Sequence, residues 1–178
     1  MKRISIVLTV IGLIIVLAQN VFATVITFDA YNISGNRWGY SYTITNDTLS
    51  SDIFEFGIFF SYGLYENIAV DTSPVDWDVI SWGPALIFDI PDDGLVDGLA
   101  LSGGLTPGAT LSGLSVSFDW LGSETPGSQY FVVVDPNDYE SILDEGNTTP
   151  ATAPVPEPAT LLLLGSGLIG LAGLRKKF

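Results

Sequence analysis

Five of the six basic residues stand at the two extremities of this 178-residue chain, Lys2 and Arg3 at the start and Arg175, Lys176 and Lys177 at the end. Each group abuts an apolar run, residues 4–18 on one side and 159–174 on the other, while all twenty acidic residues lie between positions 29 and 157. That layout divides the chain into two greasy cationic ends and an anionic middle, and only the middle has the polar content of a globular body. Between residues 24 and 154, Arg37 is the one base against nineteen acids. Such a surface repels phosphate backbones and anionic headgroups, which are bound by displacing counterions with Lys and Arg, so no nucleic-acid partner is expected. The chain contains neither Cys nor His. Disulfide frameworks, thiolate metal sites, imidazole bases and Ser/His/Asp or Cys/His constellations are thereby excluded.

The two ends predict different tasks. Met1, Lys2 and Arg3 form a positive start, residues 4–18 an apolar core, and Val21, Phe22 and Ala23 place compact residues where signal peptidase reads them. Residues 1–23 are therefore expected to be a signal peptide handled by the general secretion machinery, with cleavage between Ala23 and Thr24. At the far end, residues 147–154 read as a linker, since closely spaced prolines that follow cannot join regular backbone hydrogen bonding. Residues 159–174 predict a transmembrane helix about 24 Å long, short enough that Arg175, Lys176 and Lys177 must help by reaching the interface. These bases act as a stop-transfer signal on the cytoplasmic side, which places the acidic body on the opposite side of the membrane.

Val155, Pro156, Glu157 and Pro158, the leucine-rich run 161–164, the glycine-punctuated apolar stretch and the basic tail together resemble the PEP-CTERM sorting signal of exosortase substrates. The resemblance covers residues 155–178 and says nothing of the body. It implies that Pro156, Glu157 and Pro158 are read by an exosortase, an integral-membrane transpeptidase-like protease of Gram-negative bacteria that make exopolysaccharide. It further implies an inner-membrane-anchored precursor with a periplasmic outer domain, later released or transferred to the cell envelope or extracellular matrix.

Residues 24–146 predict an all-β outer domain, an antiparallel β-sandwich of jelly-roll-like form. Residues 37–45 alternate with period two, setting Trp38, Tyr40, Tyr42 and Ile44 on one face, and 53–62 do the same with Phe54, Phe56, Ile58, Phe60 and Tyr62. Further strands are expected at 25–33, 68–71, 77–82, 85–90, 111–120 and 129–134, between turn formers such as Gly83-Pro84, Pro107-Gly108 and Asp135-Pro136-Asn137. Asp92, Asp93 and Asp97 around two glycines, and Asp135, Asn137 and Asp138, are oxygen-rich loops able to take Ca²⁺, although Asp and Asn are also ordinary turn residues. Trp38, Trp77, Trp82 and Trp120 would bind a saccharide if several shared an exposed face, but alternation places Trp38 with the core. Some pair of nineteen acids will meet the spacing of a glycosidase by chance, and no Glu is singled out as proton donor. The expectation is a non-catalytic envelope or matrix protein, with a carbohydrate-binding module as the alternative and a hydrolase behind it.

Overall fold

Two five-stranded sheets carry the body in a computed structural model that describes residues 24–135 and 137–151. The expected leader with Ala23, the end of the linker, Pro156, Glu157 and Pro158, the helix 159–174 and Arg175, Lys176 and Lys177 lie outside the described residues. The first sheet runs in the order β12 (Thr149–Pro150), β1 (Val25–Ser34), β2 (Arg37–Thr45), β9 (Thr110–Trp120), β4 (Tyr65–Thr72). The second runs β11 (Asp138–Asn147), β10 (Tyr130–Asp135), β3 (Glu55–Phe60), β8 (Gly94–Ala100), β5 (Trp77–Trp82). A separate hairpin joins β6 (Ala85–Ile87) to β7 (Ile90–Asp92). Pairing is antiparallel throughout these sheets except for the short parallel match of β1 with β12. The all-β expectation holds. Among the described residues no helix is long and apolar enough to cross a membrane.

Strand alternation builds the core. Ile26, Phe28, Tyr40, Tyr42, Ile44, Leu114, Val116 and Phe118 of the first sheet are buried in one cluster with Phe56, Ile58, Phe60, Val79, Val96, Phe131 and Val133 of the second. Every second residue of a strand faces the same way, so these rows are the inward faces of two packed layers. Phe118 and Phe60 meet across the layers with ring centroids 6.0 Å apart. Four buried hydroxyls meet at Gln129, whose Nε2 donates to Tyr40 Oη (2.9 Å) and Tyr65 Oη (3.2 Å) while its Oε1 accepts from Tyr42 (3.0 Å) and Thr148 (3.0 Å). Burial pushes the Tyr40, Tyr42 and Tyr65 phenols above their ordinary value, so all three stay neutral donors.

Several elements differ from the sequence expectation. The strand anticipated at 85–90 is broken by Phe88 and Asp89, whose φ values of 51° and 63° make a tight two-residue hairpin turn. Residues 94–100, read as loop, form β8 in the interior of the second sheet, and 138–147 form its edge strand β11. Residues 147–151, placed in the linker, belong to the body: Thr148 is buried, its backbone N donates to Gln129 O at 2.8 Å, and Ala151 N donates to Phe28 O at 2.9 Å.

Candidate functional site

Strands β2 and β9 pair so that Trp38 lies opposite Phe118. Trp120, two residues beyond Phe118, shares its inward parity, and the two indoles therefore stand on neighbouring strands at the same end of the layered body. The core ends here. Trp38 and Trp120 are both half-buried and, with Gly35, Asn36, Gly122, Ser123, Glu124 and Thr125, line a cleft of about 430 Å³ between the β1–β2 turn and the loop after β9. Trp120 is fixed on two sides. Its ring meets Tyr65 edge-on at 4.9 Å, and its indole N–H donates to the carbonyl of Glu124. Gly122 lies so close to the same ring that a Cβ there would come within 2.3 Å of Cζ2, which no side chain can tolerate.

The polar fringe of the cleft is free. Among the described residues, the side chains of Asn36, Ser123, Glu124 and Thr125 have no hydrogen-bond partner. Arg37 is the nearest cation in sequence, but it is occupied: its guanidinium donates to Asn67 O (2.8 Å), Ser117 Oγ (2.7 Å) and Asp119 Oδ1 (3.3 Å). The Asn67 amide, with Arg37 behind it, holds the Asp119 carboxyl below the usual carboxylate range. Glu124 is the one carboxylate among the lining residues, whereas glycoside hydrolysis uses two facing acids.

The other tryptophans are scattered. Trp77 is 7% exposed and packs on Phe56 at 5.3 Å, so it belongs to the core, and Trp82 is 46% exposed on the outer side of β5. Trp38, expected among the core residues, packs against the core cluster with part of its surface and lines the cleft with the rest.

The five acids proposed for Ca²⁺ fall in five settings. Asp92 ends β7, Asp93 accepts from Tyr62 N at 2.7 Å, and Asp97 sits within β8 opposite Ile80 and Gly57. In the second loop Asp135 accepts from Asn137 N at 2.8 Å, closing a local turn, while Asp138 accepts from Ser141 Oγ at 2.8 Å. Among the described residues no three acidic side chains come together as a metal site.

Asp97 does have a physical role. On the outer side of the second sheet, burial and then the neighbouring Asp78 raise its carboxyl above the ordinary value, and burial and then Asp97 do the same to Glu55. A native state that holds protons more tightly than the unfolded chain gains stability as the pH falls and loses it as the pH rises through the raised values. Asp97→Asn is thus expected to raise the melting temperature at neutral pH, with the gain shrinking as the pH drops toward the ordinary carboxylate range. Thermal unfolding followed by circular dichroism at a series of pH values checks this, and a gain that grows on acidification would contradict it.

The body is followed in sequence by an apolar run and a basic end, the layout of a C-terminal sorting signal. The family model described as the PEP-CTERM protein-sorting motif matches residues 154–177, enclosing Pro156, Glu157 and Pro158 together with Arg175, Lys176 and Lys177. The chain carries that motif, which marks it as an exported protein sorted at the membrane with an exosortase as processing partner. No curated protein matches the chain.

Proposed function

We propose that this is a non-catalytic protein of the cell envelope or extracellular matrix, exported behind residues 1–23 and held at the inner membrane with its body in the periplasm until exosortase processes the tail. The observation that carries the reading is the sorting motif at 154–177, which begins four residues beyond the end of β12, the last strand among the described residues. Five backbone steps separate Ala151, hydrogen-bonded to Phe28, from Pro156, and they can span at most about 18 Å. The chain length alone therefore keeps the recognition peptide within that distance of the last backbone bond of the body. Leader removal fits the other end of β1: Thr24 is 3% exposed, and its backbone N donates to Asp144 Oδ2 at 2.7 Å. Cleavage before Thr24 would turn that N–H into an ammonium already seated on a carboxylate, a stronger charge-assisted bond.

Intact-mass measurement of the envelope form tests this. The expected species starts at Thr24 and has lost the segment beyond Pro156 to Pro158, and Glu157→Ala is expected to leave the membrane-bound form as the predominant species. A mature protein that still ends at Phe178 in cells with an active exosortase would sink the proposal.

A further inference from the structure

We infer that the cleft between Trp38 and Trp120 is a binding site for an uncharged saccharide. This goes beyond the sorting reading, which rests on residues 154–177 and stands or falls separately. Four observations converge on that ligand. First, the size is right: about 430 Å³ lies within the range of about 300–1,000 Å³ usual for small-ligand sites. Second, the apolar part of the lining is two indoles, one of them held by Tyr65, Glu124 and Gly122 without help from any ligand. A fixed indole loses little freedom on binding and offers the flat apolar surface on which the C–H face of a pyranose stacks.

Third, the fringe is polar and unused. A hydroxyl, an amide, a second hydroxyl and a carboxylate, on Ser123, Asn36, Thr125 and Glu124, surround the indoles with no partner among the described residues. Sugars present apolar faces and hydroxyl edges together, and this lining presents the complement of both. A purely apolar ligand would leave those four groups without hydrogen bonds, which costs affinity. Fourth, charge narrows the class. Among the described residues no cation lines the cleft, Arg37 is engaged by Asn67, Ser117 and Asp119, and the body is strongly anionic, so a uronate, sulfate or phosphate would meet only repulsion. A quaternary ammonium could stack on indoles beside Glu124, but it would make no use of Asn36, Ser123 or Thr125.

The test is a titration of the full chain in a polyoxyethylene detergent, which carries neither sugar nor ammonium. The probes are cello-, manno- and N-acetylglucosamine hexamers, with polygalacturonate and choline as contrasting ligands, and the readout is the four indole N–H signals in a heteronuclear NMR spectrum. The expected result is movement of the Trp38 and Trp120 signals by at least one neutral hexamer, with a Kd on the order of 1 mM or tighter and Trp77 and Trp82 unmoved. Trp38→Ala should weaken binding at least about tenfold and Trp82→Ala should leave it unchanged. Asn36→Ala, on an exposed turn, should weaken it severalfold and decides the matter if Trp38→Ala does not fold. The inference is overturned if no neutral hexamer moves these signals at roughly 10 mM, where a site of this affinity would be mostly filled. It is equally overturned if binding survives both Trp38→Ala and Asn36→Ala, or if polygalacturonate or choline binds more tightly than every neutral sugar.

Discussion

Replacing Gln129 with leucine is expected to lower the unfolding free energy by about 3 kcal/mol, a large effect for one polar side chain. The reason is the number of groups it serves. Its amide donates to Tyr40 and Tyr65 and accepts from Tyr42 and Thr148, and the side chains involved are buried. Leucine matches the bulk but leaves the Tyr42 hydroxyl without its acceptor and the Tyr65 hydroxyl with only the 3.4 Å contact to Tyr40. Tyr40 keeps a bond to Gly127 O at 2.8 Å, so not every hydroxyl is stranded. A buried group that loses its only partner costs about 1–3 kcal/mol, and Tyr42 with Tyr65 accounts for most of the loss. Tyr42→Phe removes one hydroxyl and leaves Gln129 still bonded to Thr148, so about 1 kcal/mol is expected there. Urea titration of both variants checks the ratio. Equal losses would mean that the hydroxyls find other partners and that Gln129 is not the centre of the network. The consequence reaches the tail, because Gln129 N also donates to Thr148 Oγ1 at 2.9 Å and Thr148 N donates to Gln129 O at 2.8 Å just before β12 docks on β1.

The sequence was legible where one face of a strand is large and apolar. Residues 37–45 and 77–82 coincide with β2 and β5 because their inward rows, Tyr40, Tyr42 and Ile44 in one and Trp77 and Val79 in the other, alternate without interruption. The same test failed for β8. Its inward row is Gly94, Val96 and Gly98, which shows almost no apolar period, and Asp97 on the outward row strengthened the look of a loop. The structure supplies the reason for the glycines: a Cβ on Gly98 would lie 2.4 Å from Cζ of Phe56, so the Phe56 ring fills the space that a side chain on β8 would need. Strand β11 was hidden by its charge. Asp138, Asp144 and Glu145 stand on an edge strand, where acids are tolerated because one side of the strand faces water. Phe88 and Asp89 turn a hairpin without the glycine that usually announces one.

The cleft was half legible. Trp38 and Trp120 were singled out as aromatic residues, but nothing in a single sequence states that strands 37–45 and 111–120 are neighbours. Register is set by long-range pairing, and here Trp38 opposite Phe118 is what brings Trp120 alongside. The sorting signal behaves differently. Its recognition needs a short peptide, an apolar run and a basic end in fixed order, all contiguous, so pattern alone carries it and no folding information is required.

Phe118→Ala is expected to cost about 3–5 kcal/mol, which is a large part of the roughly 5–15 kcal/mol that holds a domain together. Phe118 is fully buried, and its ring lies 4.7 Å from Tyr40, 5.0 Å from Tyr65 and 6.0 Å from Phe60 on the opposing sheet. Truncation would open a cavity at the junction of three strands of the first sheet and one of the second, and rings this size cannot collapse into it without losing their own contacts. The variant should also loosen the cleft, since Trp38 pairs directly with residue 118 and Trp120 leans on Tyr65. Phe88→Ala supplies the contrast: the same side chain, 94% exposed at a hairpin tip, is expected to change stability by less than about 0.5 kcal/mol. Chemical denaturation of the two variants side by side separates burial from residue type. If Phe118→Ala cost no more than Phe88→Ala, the two sheets would not be packed through this ring, and the placement of the tryptophan cleft at the end of their shared core would fall with it.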